Sequence, residues 1–257
     1  MDAPMQDLEG KVVIITGAGQ GVGRGMALAF GAAGSRVVLA GRTEAKVAAV
    51  ADEIAGEGGD ALALRCDVAN ADDVAATVAA TIDRFGRVDG MINNAFCGND
   101  QLPAMDTPDE YIQSALDSNL FGSLHFMQAC YPHMKRQGGG SIINFASGAA
   151  IEGWAKMLTY AASKEAVRGM SRSVAREWGA DNIRVNVISP QAMSPAMKAY
   201  SELNPEAFQG LLANTPMGRV GDPREDIGPV ALFLISDASS YMTGHTLNVD
   251  GGLFTLR

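Results

Sequence analysis

Thr16-Gly17-Ala18-Gly19-Gln20-Gly21-Val22-Gly23 closes an apolar run at 11–16 and leads into an alanine-rich stretch of helical character. Glycines at this spacing permit a tight turn and a close approach of backbone to ligand. The free N–H groups and dipole of the following helix then favour a pyrophosphate. A glycine-rich turn alone also occurs with nothing bound. Its place between strand and helix, at the start of a βαβ unit, makes this one a dinucleotide site.

Outward from that turn, apolar strand-like runs alternate with amphipathic helical stretches to the end of the chain. This is the pattern of a parallel sheet covered on both faces. Strands are expected at 11–16, 36–40, 61–66, 88–93, 141–146, 183–188 and 246–249. Thr107-Pro108-Asp109-Glu110 and Asp222-Pro223-Arg224-Glu225 read as helix starts, each with a capping oxygen, a proline in the first helical position and Glu three residues after the cap. Thr43-Glu44 reads as another. Gly56–Gly59 and Gly138–Gly140 mark turns. No repeat or linker interrupts the pattern, so a doubly wound α/β sheet over 1–257 is expected, its ligand at the carboxyl ends of the strands.

Composition narrows the partners. The 257 residues are 47% hydrophobic and 19% charged, with a net charge of -9. A chain so acidic is poorly suited to a nucleic-acid groove or an anionic membrane, both of which attract clustered Lys and Arg. No apolar run approaches the about 18 residues needed to span a bilayer, and residues 1–10 lack a basic segment followed by an apolar one; both features point to the cytoplasm. Cys66, Cys97 and Cys130 are odd in number and lack CxxC spacing, so they read as reduced thiols, and no metal site is expected.

The spacing Thr-Gly-x3-Gly-x-Gly resembles that of the short-chain dehydrogenases/reductases. Further motifs extend the resemblance over nearly the whole chain: Asp67, Asn93-Asn94-Ala95, Asn119, Ser147, Tyr160-x3-Lys164, Asn186-x3-Pro190 and Val249-Asp250-Gly251-Gly252. The resemblance implies a single-domain Rossmann fold with a seven-stranded parallel sheet and helices on both faces. It also implies a nicotinamide-dependent oxidoreductase acting on a secondary alcohol/ketone pair, commonly a homotetramer built through the helices carrying Asn119 and Tyr160, with the tail from Tyr241 to Arg257 at an interface.

For the dinucleotide, the resemblance implies contacts from Gly17, Gln20, Gly21 and Val22 at the turn, Asp67 and Val68 at the adenine, Asn94 and Ala95 near the adenosine ribose, and Pro190 and Met193 toward the nicotinamide. Asn93 is expected to be structural. An acidic residue at the end of the second strand would accept hydrogen bonds from the ribose hydroxyls and repel a 2′-phosphate. Gly41 stands there, followed by Arg42, whose guanidinium suits that phosphate. NADP(H) is favoured on this ground. Glu44, and Gln20 where NADP-users often carry a basic residue, keep NAD(H) open.

Tyr160 and Lys164, four apart on a predicted helix, share a face. A phenol titrates near pH 10, and bringing it to neutrality requires about 4 kcal/mol. An ammonium on Lys164, helped by an oxidised nicotinamide, is the expected source. In reduction Tyr160 donates its proton to the carbonyl oxygen, and Ser147 hydrogen-bonds that oxygen. The resemblance further implies that Lys164 holds the nicotinamide ribose and that Asn119 anchors a proton-relaying water. His125 and His133 read as ordinary helix residues.

Two departures from the family pattern flank the expected site: Phe96 stands where glycine follows Asn-Asn-Ala, and Gln191 stands where glycine follows Pro190. Pro195 replaces a threonine, with Ser194 as a substitute. The stretch 191–216, with Met193, Met197, Tyr200, Phe208, Leu211 and Leu212, reads as a lid. With Phe96, Ile151 and Trp154 it suits a bulky, neutral, apolar small molecule; packing of the lid onto the body would use the same residues. The substrate pocket is thus expected from Phe96, Ser147, Trp154, Tyr160 and Met197. An enoyl reductase would space its Tyr and Lys seven apart, and a non-catalytic NADP-binding regulator would have no need of the complete catalytic set.

Overall fold

The computed structural model describes residues 8–97 and 101–254. Residues 1–7, and with them most of the N-terminal stretch read for a leader, lie outside the described residues, as do 255–257 of the tail. Seven parallel strands run in the order β3-β2-β1-β4-β5-β6-β7. They are β1 (Val12–Thr16), β2 (Arg36–Gly41), β3 (Asp60–Arg65), β4 (Gly90–Asn93), β5 (Gly140–Phe145), β6 (Ile183–Pro190) and β7 (Thr246–Val249). All seven occur where expected, with no end displaced by more than two residues. Strand order reverses between β1 and β4, which pair through Val13–Gly90, Ile14–Met91 and Ile15–Ile92. This crevice is where an open parallel sheet binds its ligand.

Each strand feeds two cores because successive side chains alternate in direction. Val13 and Ile15 join one core with α1 (Gly21–Ala32), α2 (Glu44–Gly56) and α10 (Gly228–Ile235). Val12 and Ile14 join the other, with α3 (Ala71–Phe85), α5 (Gly122–Arg136) and α7 (Leu158–Trp178). Phe30 and Phe126 anchor the two layers, each fully buried and worth about 1.5–3 kcal/mol in removed apolar surface. Among the described residues, no helix is long and apolar enough to cross a membrane. The three cysteines are free thiols, and no group of metal-ligating side chains occurs among the described residues.

The two capping motifs part company. Asp222 accepts from the N–H groups of Arg224 and Glu225, opening a π turn (Pro223–Ile227) ahead of α10. The return bond to the Asp222 N–H comes from Asp226, at 2.6 Å, rather than from Glu225. Thr107, by contrast, caps nothing: α4 (Asp109–Leu116) begins one residue beyond Pro108, and the Thr107 hydroxyl donates to the Pro103 carbonyl. The 3₁₀ turn Ala104–Asp106 has already captured that hydroxyl, and a side chain so engaged is lost as a cap. At Thr43, α2 begins as expected but without a side-chain cap.

Candidate active site

A groove of about 320 Å³ runs over the carboxyl ends of β1, β2 and β4. Gly17, Gln20, Gly21 and Val22 line its floor, Arg42 one end, and Asp67, Val68, Asn94, Ala95 and Phe96 its opposite wall. Every cofactor residue expected for the adenosine and pyrophosphate portion thus converges on one cavity. Gly17 and Gly21 hold positive φ of 64° and 54°. Gly23 packs so tightly on the turn that a Cβ there would stand 2.3 Å from the Gly17 carbonyl oxygen. Gln20 caps α1 without spending a side-chain oxygen on its first N–H groups, which stay available for an anion. These features fit a dinucleotide pyrophosphate.

Across the switch point the turn is tied to β4. Thr16 Oγ1 accepts from the N–H groups of Asn94 and Ala95, each at 3.0 Å, while Asn94 Nδ2 donates to the Thr16 carbonyl at 2.9 Å. Asn93 is indeed structural: it is buried, with Nδ2 on Asn144 Oδ1 at 2.8 Å, and Asn144 in turn donates to Ser171. Asp67 braces its own turn, accepting from the Ala69 N–H.

At the adenosine end, Lys46 lies beside Arg42 in the groove lining and donates to Gln20 Oε1 at 2.7 Å. The sequence reading missed it, although its place one turn into the helix after β2 was the available signal. Glu44 does not line the groove. Pro190 ends β6 beside Val249. Met193 is partly exposed, and its backbone N–H is occupied by the Gly221 carbonyl at 2.8 Å, which leaves its side chain and carbonyl for any ligand. Ser194 caps α8 (Pro195–Leu203), accepting from the N–H of Met197. That bond places Met197 on the first turn of α8; no contact joins it to Tyr160 among those described.

Beyond Phe96 lies the corner that holds Tyr160 and Lys164. Tyr160 and Lys164 sit on the first turns of α7, and Lys164 is 5% exposed. Its Nζ stands 5.4 Å from the centroid of the Phe96 ring and 5.9 Å from that of Tyr160. The two rings meet edge to face at 5.9 Å. Ser147, at the junction of β5 and α6 (Gly148–Glu152), lies near enough to the Tyr160 hydroxyl to favour its phenolate. Asn119 lies in a five-residue π turn, Asp117–Phe121, of a kind frequent at functional sites. Its Nδ2 donates to Ser163 Oγ at 2.8 Å, and its buried Oδ1 has no protein partner.

Burial raises the Tyr160 phenol above its ordinary range, opposed by the Ser147 hydroxyl, and burial brings Lys164 down to about 8. Desolvation is the larger influence on both groups, and each is shifted away from its charged form. Trp154 lies partly exposed after α6, its ring 5.8 Å from that of Phe254. Phe254 was also missed, since nothing local in the sequence ties the end of the chain to Ser147.

The dinucleotide groove and the Tyr160–Lys164 corner define a Rossmann-type oxidoreductase. A family model described as enoyl-(acyl carrier protein) reductase matches residues 17–254. The 12alpha-hydroxysteroid dehydrogenase of Clostridium sp. is 40% identical over 252 residues, covering 95% of this chain and 97% of that protein. The 7alpha-hydroxysteroid dehydrogenase of Escherichia coli (strain K12) is 39% identical over 246 residues, covering 95% and 94%. A solved structure of 7 alpha-hydroxysteroid dehydrogenase complexed with NADH and 7-oxo glycochenodeoxycholic acid superposes with a TM-score of 0.93 at 38% identity, covering all of both chains. The chain belongs to the short-chain dehydrogenase/reductase family, and it is a nicotinamide-dependent oxidoreductase of alcohol and ketone groups.

Proposed function

We propose that this enzyme interconverts a secondary alcohol and a ketone on a bulky, apolar ring system of hydroxysteroid type, with NADP(H) as the preferred cofactor. The observation that carries the reading is the meeting of Ser147, Tyr160 and Lys164 beside the aromatic surfaces of Phe96, Trp154 and Phe254. A bound nicotinamide supplies or accepts the hydride. In reduction Tyr160 gives its hydroxyl proton to the ketone oxygen while Ser147 donates a hydrogen bond to the same oxygen; in oxidation Tyr160 takes the alcohol proton. Lys164 binds the nicotinamide ribose and returns a proton to Tyr160. Asn119, through its free Oδ1, holds a water that reaches Lys164.

NADP(H) is favoured because Arg42 and Lys46 both border the adenosine end of the groove while Glu44 does not. The stretch 191–216, including α8 and α9 (Pro205–Asn214), serves as the lid, presenting Met193 and Tyr200. The enzyme works in the cytoplasm as a homotetramer through the segments carrying Asn119 and Tyr160, the π turn 117–121 that leads into α5, and α7, where Phe121 and Leu158 stand exposed. An enoyl reductase is disfavoured by the Tyr-x3-Lys spacing and by relatives named for hydroxyl and keto groups; 3-oxoacyl-(acyl-carrier-protein) reductase of Thermotoga maritima, 34% identical over 246 residues, is another.

The test is a panel of ketones and alcohols, from small hydroxy acids to polycyclic ketones, each assayed with NADP(H) and NAD(H). Turnover concentrated on polycyclic ketones with NADPH is expected. A preference for small charged hydroxy acids overturns the substrate reading, and tight NADP binding with no hydride transfer to any member favours a regulator.

A further inference from the structure

The segment after β7 is constructed to deliver one aromatic ring. Asp250 accepts from the Gly252 N–H at 2.9 Å with one carboxylate oxygen and from the Phe254 N–H at 3.0 Å with the other. Asn248 Nδ2 donates to the Phe254 carbonyl at 2.8 Å, so the chain is held on both sides of the turn. Gly251 and Gly252 adopt φ of 64° and 88°, which a side chain would strain. The same turn is fastened to the end of the lid, where the Met217 N–H donates to the Gly251 carbonyl at 3.1 Å.

These bonds bring the Phe254 ring against Gly148. A Cβ on Gly148 would lie 2.0 Å and 2.3 Å from two ring carbons of Phe254, so ring and methyl cannot coexist in this arrangement. Trp154 meets the ring at 5.8 Å, with an interplanar angle of 57°. Gly148 directly follows Ser147, whose extended backbone (φ -155°, ψ 133°) forms the cap of α6 without a side-chain bond to the helix. The Ser147 hydroxyl is therefore free of local duty, and its position depends on the backbone that the ring covers.

We propose that Phe254 is a positioning residue for the reaction: its ring, seated on Gly148 and Trp154, fixes the Ser147–Gly148 junction so that the Ser147 hydroxyl meets that of Tyr160. The inference rests on the reading of Ser147 and Tyr160 as partners. A displacement of about 1 Å at such a group costs up to a hundredfold in rate, which leaves ample range for a ring distant in sequence to act.

Phe254→Ala, Phe254→Tyr, Gly148→Ala and the Gly148→Ala/Phe254→Ala double variant test it, assayed for kcat, both KM values and the pH profile of alcohol oxidation. Phe254→Ala is expected to lower kcat about tenfold or more, with the cofactor KM held within about twofold. The rising limb of the profile should move to higher pH, because the support that Ser147 gives the phenolate is lost. Lys164, the other ionisable group beside Tyr160, is untouched by these changes. Gly148→Ala should act in the same way by expelling the ring. The double variant should lose no more than the worse single, since both break one contact. Phe254→Tyr keeps the ring and should stay near wild type. Should Phe254→Ala fail to fold, Phe254→Leu with an unchanged melting curve is read instead. A folded variant lacking the ring with unchanged kcat and pH limb, losses that multiply in the double variant, or a change confined to cofactor KM each overturn the proposal. Tyr160→Phe assayed alongside separates the two readings, because wild-type turnover in that variant removes the partner assignment itself whatever Phe254 does.

Discussion

The two halves of the site are made of different materials. The groove is backbone: positive-φ glycines, uncommitted helix N–H groups, and two cations at its rim that remain exposed. The Tyr160–Lys164 corner is side chain: a phenol and a buried ammonium pressed among rings, each shifted by burial away from its charged form. A site built from backbone needs the substrate charge only to dock. A site built from desolvated side chains stays electrostatically unfavourable until a ligand supplies opposing charge, which ties its chemistry to occupancy.

Tyr160→Phe gives the sharpest break between the halves. Turnover is expected to fall by about two to four orders of magnitude while cofactor affinity, measured by fluorescence titration, is preserved. Retained turnover would show that the corner is not where the proton moves.

Next in size is an effect on stability. The folded pKa of Lys164, about 8, lies below the ordinary lysine value, so burying the ammonium costs stability, and folding releases a proton only between about pH 8 and pH 10.5, where the unfolded chain holds one and the folded chain does not. This penalty is complete below about pH 8, shrinks as pH rises, and disappears above about pH 10.5, where both states are neutral. Lys164→Met should then be catalytically crippled yet more stable by up to about 3 kcal/mol at pH 7. Denaturant melts at pH 7 and pH 10 check it: the gain should be mostly gone at the higher pH, and a gain equal at both would show that burial does not govern this lysine.

How much of this was legible depended on range. The glycine turn, the strands and the Tyr-x3-Lys pair are local patterns, and each occurs where the sequence places it. Thr107 failed as a cap because its hydroxyl had a nearer partner at Pro103, a competition settled only by the path of the preceding turn. Lys46 carried a local signal, its place one turn into the helix after β2, that went unread; Phe254 was invisible for a different reason, since it joins the site from a segment whose register no local spacing encodes. The burial that raises the Tyr160 phenol is equally illegible, because a sequence shows a neighbouring charge but not the loss of water around it.

At the groove, Arg42→Ala with Lys46→Ala should shift selectivity from NADP toward NAD by about ten- to a hundredfold, the scale of lost hydrogen bonds to a charged group. The ratio of kcat/KM for the two cofactors measures it. An unchanged ratio would remove both cations from 2′-phosphate recognition and leave Gln20 and Glu44 to be tried.

The smallest effect probes the boundary between the halves. Phe96, 48% exposed, covers Lys164 with its ring and closes the end of the groove. Removing the ring in Phe96→Gly forfeits a cation–π contact of about 0.5–2 kcal/mol but admits water to the ammonium. Hydration of a buried cation outweighs a single aromatic face, so the Lys164 pKa should rise from about 8 toward the ordinary lysine range, with little net change in melting temperature. NMR titration of the isotopically labelled lysine reads that shift directly. An unmoved titration would mean that the surrounding core, and not Phe96, keeps water from Lys164, and the sharp line between an open groove and a dry corner would then lie deeper in the protein than this ring.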